Sequence, residues 1–64
     1  MTSNEIVVSN LNRIGELYTV LGVLTEKRNN EEDWDMRGSY NRAIIGIEDA
    51  IENLTYVNKA LEDC

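Results

Sequence analysis

The stretch SYNRAIIGIEDAIENLTYVNKAL, from Ser39 to Leu61, holds two parallel rows of side chains. Tyr40, Ile44, Ile47, Ile51, Leu54, Asn58 and Leu61 form a row that is mostly bulky. Ser39, Ala43, Gly46, Ala50, Asn53, Val57 and Ala60 form a row that is mostly small. Both advance by alternating steps of four and three, so each stays on one side of an α-helix. A helix with a bulky seam beside a small one suits more than one packing neighbour. This is a signal of assembly and carries no chemistry.

The first half of the chain has the same period. Val7, Leu11, Ile14, Tyr18 and Leu21 recur by fours and threes, and Val8, Leu17 and Leu24 widen the stripe. Thr2 followed by Glu5 has the spacing of a capping box. Lys27 and Arg28 sit where a helix C-terminus favours positive charge. The spacing predicts a first helix from about residue 4 to about 28. Asn29-Asn30 is the most turn-like dipeptide, and Glu31, Glu32 and Asp33 would then load the first turn of a second helix with acid. That helix is expected over about 31–61, with Gly38-Ser39 as its weak point.

Two long helices joined by so short a turn must be antiparallel neighbours, an αα-hairpin. A turn at 29–30 would set Asp49 opposite residue 10, Gly15 opposite Ile44 and Gly46, and Gly22 opposite Gly38. Glycines facing glycines would let the backbones approach closely, offsetting a cost of about 1 kcal/mol for each glycine inside a helix. Helix two would be the longer by about five residues, roughly 8 Å at about 1.5 Å per residue. Trp34, beside the turn, is expected to close the end of the core or to anchor a partner. Ile45 falls outside both rows and is a candidate for exposed apolar surface.

The fold class expected is therefore all-α, in one domain. A chain of 64 residues is marginal alone. It has one Cys and no His, so neither an internal disulfide nor a structural zinc site is open to it. Oligomerisation or a binding partner remains. Pairing two hairpins into a homodimeric four-helix bundle is the common solution, as in ROP, a likeness of shape that no motif here carries. The residues expected at that interface are Ala43, Ile44, Gly46, Ile47, Ala50, Ile51, Leu54 and Val57. Cys64 reads as a frayed terminal residue, with an interchain disulfide as the functional alternative.

The net charge of −6 is unevenly placed. Residues 1–28 balance Glu5, Glu16 and Glu26 against Arg13, Lys27 and Arg28; the second half carries the whole excess of acid. This argues against direct binding to nucleic acid, which needs a cationic face, and against an anionic membrane surface. Residues 1–12 do not have the pattern of a signal peptide, and Val20–Leu24, the longest apolar run, is too short to span a bilayer. A cytoplasmic protein is expected.

Enzymatic chemistry has few resources here. The commonest general base, His, is absent, no serine has a Ser-His partner, and the four glycines are dispersed rather than gathered in a phosphate loop. No cofactor is expected. Only carboxylates remain. Glu31-Glu32-x-x-Asp35 with Asp49-x-x-Glu52 resembles the paired acidic motifs of the all-α nucleotide pyrophosphatases. That resemblance implies Mg²⁺ held by carboxylates on facing helices. It covers only these two patches, and the second has its acids in reverse order. Within one hairpin the patches would lie about 20 Å apart along the helix.

The acids carry another reading. Glu48 and Glu52 are like charges at i and i+4, a mildly destabilising arrangement. With Asp49, Glu31, Glu32, Asp33 and Asp35 they make an anionic rod, able to occupy a cationic cleft built for nucleic acid. Small acidic inhibitors that phages make against host nucleases work this way, in the host cytoplasm. The plainer reading of the same acids is a solvated face that keeps a small oligomer soluble. The function expected is a non-enzymatic protein–protein interaction module that regulates or inhibits a larger protein. A nucleic-acid mimic and a Mg²⁺-dependent pyrophosphatase-like fragment are the alternatives.

Overall fold

The computed structural model describes residues 1–63, and Cys64, with its two readings, lies outside them. The described chain is two helices, α1 (Ser3–Asn30) and α2 (Trp34–Glu62), packed against each other as an antiparallel hairpin. Among the described residues there is no strand. The hairpin is a rod of 47 × 15 × 15 Å. Its radius of gyration is 14.7 Å, against about 11 Å for a compact chain of this length.

Helix α1 starts where Thr2 and Glu5 place it. The Thr2 hydroxyl accepts from the Glu5 N–H at 3.2 Å and donates to the Glu5 carboxylate at 3.1 Å. The turn lies further on than Asn29-Asn30 suggests. Both asparagines stay helical, and among the described residues none adopts a positive φ, so their tolerance of left-handed backbone goes unused. Residues 31–33 form the connection instead. Asp33 is the N-cap of α2, its carboxylate accepting from the N–H groups of Asp35 at 2.9 Å and Met36 at 3.2 Å. The Glu31 carboxylate in turn accepts from the Asp33 N–H at 3.0 Å. These charge-assisted bonds satisfy three N–H groups at the turn, two of them orphan donors of α2, and stabilise it there. The helices are consequently near equal, 28 and 29 residues, rather than five apart. Helix α2 runs unbroken through Gly38; the Ser39 hydroxyl donates back to the Asp35 carbonyl at 3.3 Å and caps nothing.

The bulky row of α2 is the face turned to α1. Ile44 and Ile51 are buried at 6% and 8% exposure, Asn58 at 5%, and Tyr40, Ile47, Leu54 and Leu61 are half-buried. On α1 the inward face differs from the expected stripe. Val7, Asn10, Ile14, Leu17, Leu21 and Leu24 are half-buried, whereas Leu11 and Tyr18 are exposed. The inward set alternates threes and fours as the apolar stripe does, but starts with a step of three from Val7, and it admits an asparagine.

The register differs too. Asn10 faces Asn58, and Arg28 near the turn reaches Asn41 at 3.1 Å. Asp49 is not opposite residue 10, and the proposed glycine pairs do not meet. A Cβ built on Gly15, Gly22, Gly38 or Gly46 would touch nothing within 4 Å. Their close approach is therefore not what these glycines serve in the hairpin. Gly15→Ala and Gly22→Ala should each stabilise the protein by up to about 1 kcal/mol through helix propensity. A thermal melt followed by circular dichroism reads this; a lowered midpoint would mean that a neighbour outside the hairpin needs the space.

Candidate functional site

An interhelix polar lock sits at the open end of the hairpin. The Asn10 amide donates to the Asn58 side-chain carbonyl at 2.9 Å, and the Asn58 amide donates to the Val7 backbone carbonyl at 3.2 Å. Among the described residues no buried side-chain N or O lacks a partner. In helical pairs a lone polar residue in an apolar seam selects register at some expense of stability. The signal was present in the sequence: Asn58 interrupts the bulky row, and Asn10 holds the matching place on α1. Asn58→Ala should cost about 1–3 kcal/mol by stranding its partners. Replacing both asparagines with Leu should restore that stability and loosen the register. Urea melts measure the first effect, and disulfide trapping between cysteines placed along both helices measures the second. An unchanged midpoint in Asn58→Ala would show that the lock does not hold the helices.

The candidate interaction residues divide among several places. Ile44, Ile47, Ile51 and Leu54 are spent on α1 within the hairpin. Ala43, Gly46 and Val57 are exposed beside them and Ala50 is half-buried, so the small row is the open flank of the seam. Ile45 is exposed, as its place outside both rows predicts. Trp34 is the first residue of α2 and is 82% exposed. It does not close the core, because the turn ends one residue before it and the seam begins at Tyr40.

The acids are likewise separated. Glu31 is half-buried, and Glu31 and Asp33 shape the turn through the bonds given above. Glu32, Asp35, Glu48, Asp49 and Glu52 are exposed. Glu48 and Glu52 border a groove on one flank, and Asp49 stands off it. Asp35 and Asp49 are on the same helix, about 21 Å apart at about 1.5 Å per residue. Among the described residues no three Cys, Asp or Glu side chains converge as a metal-ligand set would. A single hairpin therefore does not bring the two acidic patches to one ion.

The groove beside Glu48 has a volume of about 510 Å³. Leu21 and Ile51 lie at its base, with Tyr18 and Tyr56 exposed at its edges. Reading Leu11 and Tyr18 as core hid it from view in the sequence. No helix of the described residues is long and apolar enough to cross a membrane. No protein-family model matches the chain, and no curated protein and no solved structure matches it either.

Proposed function

We propose that this chain is a non-enzymatic interaction module that binds and regulates a larger protein, and that it also pairs with itself. One observation carries the reading. Among the described residues only Ile44 and Ile51 are buried apolar side chains, while eleven large apolar side chains are exposed, from Met1 to Val57. The accessible surface is 4974 Å², against about 4200 Å² for a compact chain of this size. The difference, about 800 Å², is close to what one partner contributes to a standard protein interface. Contiguous apolar surface marks interaction sites, and Leu11, Tyr18 and Tyr56 line neighbouring hollows on one flank of the hairpin.

The small row supports self-association. Ala43, Gly46 and Ala50 present little side chain, and another helix could approach them closely, completing a four-helix bundle. Light scattering should then give a dimer whose mass does not change with salt. Ala50→Leu should shift it toward monomer, since overpacking typically costs about 1–3 kcal/mol. A wild-type monomer at all concentrations, or an Ala50→Leu dimer of unchanged stability, would remove the self-pairing half of the reading. The larger partner is sought by affinity capture from the source cells, followed by binding with the purified partner. Binding that is weakened by Trp34→Ala or Ile45→Lys supports the module reading.

The exposed acids support a second reading, occupation of a cationic nucleic-acid cleft. Glu32, Asp35, Glu48, Asp49 and Glu52 are all exposed on the strongly acidic half of the chain. Binding would then fall steeply with salt, and charge reversal at Glu48, Asp49 and Glu52 would abolish it. Persistence of binding through that change rejects the mimic.

A further inference from the structure

The hollow beside Glu48 continues along the hairpin. A second hollow of about 280 Å³, with Leu11 and Ile14 on the α1 side, shares Thr55 and Lys59 with the first. From Glu48 to Glu62 the joined groove follows α2 for about 21 Å, the length of roughly four helical turns. We propose that this groove is the docking site for a cationic amphipathic helix of a partner protein. The proposal rests on the interaction-module reading and names the surface and the chemistry of its partner.

The shape and the lining suit a helix. The base is mostly apolar: Ile51 is buried, Ile14 and Leu21 are half-buried, and the buried Asn58 of the lock is its polar member. The edges are Tyr18 on one helix and Tyr56 on the other, the latter 76% exposed. Tyrosine is enriched at interfaces because it offers a large rigid apolar ring with a polar tip that stays wet. An amphipathic helix laid in such a groove buries residues at i, i+3, i+4 and i+7 against the base.

Charge chooses the occupant. Glu48, Glu52 and Glu62 border the groove against a single cation, Lys59. A second copy docked here through a two-fold axis would bring the same acids together. Like charges juxtaposed across an interface are strongly disfavoured. Nor does the chain hold a cationic half to offer, since residues 1–28 are neutral and the remainder carries the net −6. A helix with Lys or Arg flanking its apolar stripe meets both the base and the rim. Self-pairing through the small row leaves this flank free.

The probe is a synthetic peptide of about 18 residues with Leu at helical spacing and Lys elsewhere, labelled for fluorescence anisotropy. One control has the same composition with the leucines scrambled off a common face; another carries Glu in place of Lys. The wild-type protein should bind the amphipathic Lys peptide at least about tenfold more tightly than either control. Tyr18→Ala and Tyr56→Ala, truncations of exposed rings, should each weaken it about tenfold, as loss of an interface aromatic does. Glu48→Lys with Glu52→Lys should weaken it further, and Met36→Ala, near the turn, should not change it. Circular dichroism checks that each variant keeps its helicity. Equal binding of the scrambled peptide, or unchanged binding by Tyr56→Ala, overturns the proposal. So does a dimer that Tyr56→Ala dissociates in a protein that ignores the peptide, because the groove then holds a second copy. If a captured natural partner keeps its affinity for both tyrosine variants, the groove assignment falls and the module reading stands. If the wild-type protein binds neither the peptide nor any protein of the source cells, the module reading falls and the groove assignment falls with it.

Discussion

The register of the hairpin depends on the meeting of Asn10 and Asn58 across the seam. Apolar contacts between two regular seams are nearly degenerate: sliding one helix by a heptad exchanges one set of Ile and Leu neighbours for another of similar worth. An amide in that seam removes the degeneracy. Left without its partner it would forfeit the bonds between Asn10, Asn58 and the Val7 carbonyl, and a buried amide left unpaired costs more than a good hydrogen bond gains. The Arg28–Asn41 bond near the turn agrees with this register. That register sets which residues of α1 face inward, and therefore that Leu11 and Tyr18 do not.

The same seam explains why the molecule looks unfinished. Two helices give each other one face only, and at this length the shared face buries Ile44, Ile51 and Asn58 and half-buries the rest. Capping contributes at both helix starts, through Thr2 and Asp33, but caps act locally and do not build a core. The apolar side chains left outside lie on two different sides of the seam. One side has the small row of α2; the other has the tyrosines and the groove. The surfaces proposed for self-pairing and for a partner helix therefore lie on opposite flanks of the seam.

Charge is distributed to match. The half that supplies α1 is neutral, while the half that supplies α2 carries the excess acid. Acids in the turn are partly occupied with holding backbone N–H groups, as Glu31 and Asp33 show. Those in the middle of α2 have no such local task. Glu48 and Glu52 accept mutual repulsion one turn apart, a small cost that has a ready rationale if a cationic surface is to be met there.

Much of the fold was legible in the sequence, because a helix is a local object. Period, caps and residue type decide it within a few turns, and Tyr40 through Leu61 named the inward face of α2 without help from α1. The all-α hairpin, the Thr2 cap and the exposure of Ile45 belong to the same class of inference. What the tertiary structure alone decided is everything that depends on two elements together. The Asn29-Asn30 turn lost to Asp33 because one carboxylate satisfies two N–H groups at once. The α1 face shifted because Asn10, polar and therefore discounted, had a partner 48 residues away. The glycine pairs, the place of Trp34 and the groove between Tyr18 and Tyr56 all follow from that register. Periodicity says which way a side chain points on its own helix. Only hydrogen bonding between the helices says what it points at.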